Sequence, residues 1–250
     1  MIKPRYIVPL IKPKEAAAAI QPAPTAHLTY HGGPLISAVE VRAIFWGSAW
    51  KENPNSDLIP QLGNFFDFIL QSSLMDVLAQ YGVAGKPIGH GKYLGPVVTT
   101  GPALGDTVSD DEIQQALQGW IENSTIPKPN ANSLSFVYLP PGVVSSDGTA
   151  QSCTEFCGYH SHINGQIFYA VEPFLDCDGC KAGTGIFDSL TKVSSHELCE
   201  AITDPALSGW FDDNGGNEIG DICNENIVTL GGFVIQSEWS NAKNACRIAP

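Results

Sequence analysis

The cysteine pattern restricts this chain more than any other feature. All seven cysteines fall in the C-terminal part: Cys153, Cys157, Cys177, Cys180, Cys199, Cys223 and Cys246. The first four lie within 28 residues, spaced C-x3-C and C-x2-C, and such spacings suit either two crosslinks or a tetrathiolate zinc site. The segment between the pairs, Gly158 to Asp176, reads as a strand-like run rather than a zinc knuckle, so disulfides are expected, with the tetrathiolate site as the alternative. Cys223 and Cys246 flank a hairpin-like stretch and are expected to bridge, leaving Cys199 unpaired. Disulfides persist in oxidising compartments, so an extracellular location is the expectation.

Composition narrows the partners. The 250 residues carry 26 Asp and Glu against 13 Lys and Arg, a formal charge of −13. Polyanions are repelled by that balance, which argues against nucleic acid and anionic membrane surfaces. No stretch approaches the roughly 20 apolar residues of a spanning helix, so a soluble chain is expected. Residues 1–27 are rich in Pro and Ala and read as an extended arm. In the first ten, Pro4 and Pro9 interrupt the apolar run, so no export leader is legible there. Residues 28–250 are expected to form a single domain.

Periodicity gives the elements. Val39–Trp46, Tyr93–Thr100, Leu134–Leu139 and Gln166–Val171 read as strands, the last as a sheet edge. Leu58, Leu62, Phe65, Phe66, Ile69, Leu70 and Leu74 recur at helical spacing and predict one long helix over Asp57–Tyr81. Ser109 opens another, with Asp110, Asp111 and Glu112 at its positive end. A helix over Phe187–Thr203 stops at Asp204-Pro205, and Gly231-Gly232 turns a hairpin over Ile227–Gln236. The class is α/β (or α+β), a mixed sheet with helices and no repeats.

The chemistry sits in Ser195-His196-Glu197-Leu198-Cys199-Glu200. His196 and Glu200 are four apart and share a helical face, with Glu197 beside them. This is H-E-x-x-H with Glu in place of the second His. In the parent motif the two imidazoles hold zinc and the Glu takes a proton from bound water. A carboxylate ligand is admissible but lowers the ion's Lewis acidity. A solvated helix face with one His and two Glu is the bland alternative. Downstream, Glu218 or Asp221 is the expected third ligand. The same loop, residues 212–221, could instead hold Ca²⁺ through Asp212, Asp213, Asn214 and Asn217, or be a plain Asx-rich turn. From Glu197 to Asp221 there are seven acids and no Lys or Arg, and carboxylates so crowded repel unless a cation sits among them. His160 and His162 alternate on an extended segment and could both face the cleft.

Several of these segments together resemble the phosphate-induced, EXORDIUM-like family, in its bacterial branch. They are Tyr30-His31-Gly32-Gly33-Pro34, Ile44-Phe45-Trp46-Gly47, Cys157-Gly158-Tyr159-His160, Ser195-His196-Glu197-Leu198-Cys199-Glu200-Ala201 and Asn217-Glu218-Ile219-Gly220-Asp221-Ile222-Cys223. The likeness spans about residues 28–246. It implies that Glu200 belongs to the motif rather than being a decayed His, and it carries His160, His196, Glu197, Glu200, Glu218 and Asp221 as motif positions. It implies secretion and carries no catalytic activity over.

The resulting expectation is a disulfide-containing, zincin-like metallopeptidase fold acting on a peptide or protein. Zn²⁺ is held by His196, Glu200 and Glu218 or Asp221, Glu197 is the general base, and His160 is a ligand or oxyanion donor. The competing expectation is a non-catalytic secreted binding protein in which Zn²⁺ or Ca²⁺ is only structural. His31 is given no role, and Trp46, Trp120 and Trp210 are expected to be packing residues.

Overall fold

Alternation along one strand decides the layers. Between Glu40 and Trp46, residues Val41, Ala43 and Phe45 enter one apolar cluster while Ile44 and Trp46 enter another, because successive side chains of a strand leave opposite faces. A strand buried on both sides needs covering on both sides. The computed structural model of the chain describes residues 7–9 and 26–250; the remainder of the expected arm lies outside the described residues.

In chain order the elements are β1 (Ile7–Pro9), β2 (Leu28–Tyr30), β3 (Glu40–Trp46), α1 (Asn55–Ile69), α2 (Ser73–Leu78), β4 (Lys92–Thr99), β5 (Thr107–Ser109), α3 (Asp110–Glu122), β6 (Ser133–Tyr138), β7 (Val144–Ser146), β8 (Phe156–Ile163), β9 (Ile167–Glu172), α4 (Ile186–Thr203), β10 (Trp210–Asp212), β11 (Ile227–Leu230), β12 (Phe233–Gln236), β13 (Glu238–Ser240) and β14 (Ala245–Arg247). The main sheet has the order β1-β8-β9-β6-β3-β4. β9, β6, β3 and β4 run parallel, whereas β8 is antiparallel to β9 and to β1. Helices α1 and α4 cover one face and α3 the other, so the architecture is mixed α/β. Four two-stranded ribbons complete the described residues.

Two expectations are corrected. The single helix over 57–81 is two: α1 ends at Ile69, and Ser72 restarts the chain by accepting the Leu74 N–H on its hydroxyl while donating to the Ile69 carbonyl. A serine that satisfies an orphan N–H makes a better N-cap than helix interior. The strand read over Gln166–Val171 is not an edge. β8 pairs with it through the three-residue connection Asn164-Gly165-Gln166, whose first two residues are at positive φ, a conformation that Asn and Gly adopt more readily than other residues. In the sequence β8 reads only as an extended segment around His160 and His162, without strand bounds, because Gly158, His160 and His162 interrupt its apolar pattern, although all eight of its residues are buried.

The remaining elements agree with the periodicity within a residue or two. Ser109 and Glu112 form a reciprocal capping box at the start of α3. The disulfides are Cys153–Cys177, Cys157–Cys180 and Cys223–Cys246, with Cys199 free and buried. All four sulfurs of the C-x3-C and C-x2-C pairs are thus in covalent bonds, which removes the tetrathiolate zinc site. Trp46 and Trp120 meet edge to face in the α3-side core, and Trp210 packs between Tyr30 and Tyr81. No described helix is long and apolar enough to cross a membrane.

Candidate metal centre

Helix α4 is buried from Ser189 to Thr203. Its polar residues therefore face other protein, and each needs a partner or a counter-charge. On one side lies β8, so close that a Cβ on Gly158 would sit 2.6 Å from Val193 Cγ1. On the other side the chain returns: β10 pairs with β2, and the loop after it lays Gly220 on the helix, where a Cβ would be 2.7 Å from His196 Nδ1 and 2.9 Å from Glu200 Oε1. Glycine at both places lets backbone approach side chains that no bulkier residue would admit.

Those approaches bring together every residue singled out on the motif. His196 Nε2 lies 2.9 Å from Glu200 Oε1 and 4.0 Å from Asp221 Oδ1. His160, from β8, puts Nδ1 3.2 Å from Glu197 Oε2 and 3.6 Å from Glu200 Oε2, with Nε2 3.7 Å from Glu218 Oε1. Two donor sets result, His196/Glu200/Asp221 and His160/Glu200/Glu218, each with its atoms within 4.8 Å of one another. His160, His196, Glu197, Glu200 and Glu218 are 0 % exposed.

The outer contacts orient both imidazoles. Gln236 donates its amide N–H to the Gly220 carbonyl, so its Oε1 faces His196 and accepts the Nδ1–H at 3.1 Å. That leaves a lone pair on Nε2, facing the acids. His160 Nε2 stands 3.2 Å from the Asp204 carbonyl, which can only accept; Nδ1 then turns its lone pair on Glu197 and Glu200. Metal-bound histidines are held in this manner, by an acceptor behind the ring. Asp204 itself accepts the Ser208 and Gly209 N–H groups, which closes the turn after α4.

Lone pairs facing ionised carboxylates repel, so the cluster needs protons or a cation. His196 Nε2, Glu197 Oε1, Glu200 Oε2 and both Glu218 oxygens have no hydrogen-bond partner. Burial pushes Glu197 up to about 8 and Asp221 to about 7, and raises Glu200 and Glu218 well above the carboxylate range. Burial also depresses both imidazoles, so imidazolium is not the natural counter-charge. Without metal, the acids hold the protons. A divalent ion can take their place, and imidazole with carboxylate suits zinc among others.

Other sequence candidates go elsewhere. His162 is buried but accepts the Gly165 N–H at the β8–β9 turn, and it belongs to neither donor set. The Asp212 carboxylate accepts from the Asn214 and Gly215 N–H groups and the Asn217 amide. That loop is therefore held by its own Asx turn, and of residues 212–221 only Glu218 and Asp221 join a donor set, so the expected Ca²⁺ cradle does not assemble. His31 stacks on Phe211 beside Asp213, away from the cluster.

Sequence reasoning missed a second layer. Lys192, one turn before His196, is buried, and desolvation lowers it to about 8 even though Glu172, Glu197 and Glu238 favour its charge. Glu172 and Glu238 are themselves buried without a hydrogen-bond partner. A signal existed: a helix with Lys192, Ser194, Ser195, His196, Glu197 and Glu200 on successive turns has no apolar stripe wide enough for an ordinary core helix. Neither a family model nor a curated protein matches the chain at a significant level.

Proposed function

We propose that the chain is a secreted, metal-dependent peptide hydrolase of zincin-like fold, its ion held by His196, Glu200 and Asp221. The observation that carries the metal is the pair of imidazoles whose inner nitrogens face buried acids, among which Glu197 Oε1, Glu200 Oε2 and both Glu218 oxygens have no hydrogen-bond partner. Support for the fold comes from the sheet. It is a mixed sheet in which four parallel strands are followed by the antiparallel β8 and then by β1, with the motif helix packed on one face and acids returning to it from downstream. The motif likeness to the phosphate-induced family and the three disulfides support secretion.

The substrate class rests on β8. Its outer edge takes Ile7–Pro9 as an antiparallel strand, Ile7 opposite Tyr159 and Pro9 opposite Phe156. An extended peptide adds to a sheet edge in the same manner, and His160 on this strand reaches the centre. Bound there, zinc would lower the pKa of a water towards about 7 and polarise a carbonyl. Glu197, whose Oε1 is unpartnered, would serve as the base for such a water and would return the proton to a leaving amine. His160 steers Glu197 through the Nδ1–Oε2 contact.

Complete burial of His196 and Glu200, with Asp221 only 13 % exposed, favours a second reading, a metal-stabilised binding module with no turnover. Digestion of a peptide library by the zinc-loaded protein separates the two. Cleavage lost in Glu197→Gln, with metal content retained, is the result expected of the hydrolase. Equal traces from wild type and Glu197→Gln would leave only the binding module.

A further inference from the structure

We propose that the centre is dinuclear: a second divalent cation binds between His160, Glu200 and Glu218, and the Glu200 carboxylate bridges it to the ion at His196 and Asp221. This goes beyond the proposed hydrolase, which needs one ion, and it shares Glu200 with that site.

The position of Glu200 points to a bridge. It stands between two histidines on different elements and offers each a different oxygen, Oε1 to His196 and Oε2 to His160. Oε1 is also anchored by the Asp221 N–H at 3.1 Å, whereas Oε2 has no hydrogen-bond partner. A carboxylate used in this way sets two ions at the roughly 3.5–4 Å separation of two-metal hydrolases.

Glu218 points the same way. Both its oxygens are fully buried and lack a hydrogen-bond partner. The His196 set does not include it; it completes the other set, on the His160 side. A single ion at His196, Glu200 and Asp221 would leave both its oxygens buried without a partner, a costly arrangement. Charge balance agrees. Glu197, Glu200, Glu218 and Asp221 carry four negative charges when ionised; one divalent cation neutralises half and two neutralise all.

Metal counting tests this independently of activity. Chelated protein is reloaded with Zn²⁺, dialysed, and measured by mass spectrometry for ions per chain, beside His160→Gln and Glu218→Gln whose folding is checked by circular dichroism. Two ions in wild type and one in each variant is the expected result. One ion in wild type, retained in the variants, overturns the second site and leaves the hydrolase standing; none in wild type overturns both. Should the variants misfold, Mn²⁺-loaded wild type decides alone: a spin-coupled pair spectrum supports the bridge, and an isolated-ion spectrum contradicts it.

Discussion

Buried acids on the opposite faces of one sheet are treated differently. On the α3 side, Asp110 accepts the Tyr159 and Tyr169 hydroxyls at 2.8 and 2.7 Å on one oxygen and the Gln114 amide at 2.7 Å on the other. Neutral donors satisfy it completely, so the carboxylate serves as structural cement. On the α4 side, Glu197, Glu200 and Glu218 face one another and two imidazoles, with oxygens that no donor meets. A chain able to build the first arrangement is not short of hydrogen-bond donors. The second leaves buried acids short of donors and of positive charge, and it is the face on which we propose that a cation binds.

The comparison breaks most readily on metal and pH together. With free ion at about 1,000 times its dissociation constant, a ligand specific for the folded state adds about 4 kcal/mol, or a melting rise of roughly 8–16 °C in a domain of this size. The chelated protein should fare worst at alkaline pH. Glu197 and Asp221 titrate near 8 and 7 when folded, against 4.5 and 3.8 as free groups, so the folded state binds more protons between those values. The stability that these two acids carry is full below about pH 4 and is lost as pH rises through 7 and 8, whereas the depressed imidazoles act in the opposite sense on the acid side. Metal rescue should therefore grow across that range; denaturant melts with and without chelator check it, and rescue that shrinks with rising pH would contradict the proposed counter-charge.

Next in size are substitutions of the acids themselves. Asp110→Ala should cost about 3 kcal/mol by stranding buried donors, equally with and without metal. Glu218→Gln should leave the chelated protein at least as stable as wild type, since a buried acid is removed, yet should reduce the gain from metal. Unfolding titrations of both variants in the two states sharpen the contrast. A metal-dependent cost at Asp110, or none at Glu218, would erase it. The smallest effect is local to the α3 face: Ser109→Ala opens the capping box and should cost about 1 kcal/mol, with no change in metal content.

Much of this architecture was legible where periodicity is strong. The strands at β3, β4 and β6, the α3 cap and the Gly231-Gly232 hairpin follow from patterns of two and 3.6 residues. The Asp57–Tyr81 helix was overrun because apolar spacing continues through Ser72, and only the serine's capping bonds divide it. β8 was legible only as an extended segment at His160 and His162, because its positions 158, 160 and 162 hold glycine and histidine in place of Val or Ile. The motif named His196, Glu197 and Glu200 through helix geometry alone, whereas their meeting with His160, Glu218 and Asp221 depends on tertiary approach over glycines. Gln236, which sets the His196 tautomer, sits on a strand 40 residues away and leaves no local signal.

The central claim is that the unpartnered carboxylate oxygens and the inward-facing imidazole nitrogens of the α4 face hold metal. A crystal structure of zinc-loaded protein, with anomalous differences measured at the zinc edge, tests it most directly. The expected result is density bonded to His196 Nε2, Glu200 and Asp221 at about 2.0–2.2 Å. A cluster without anomalous density, its acids paired by shared protons while zinc appears only on the surface, would contradict it.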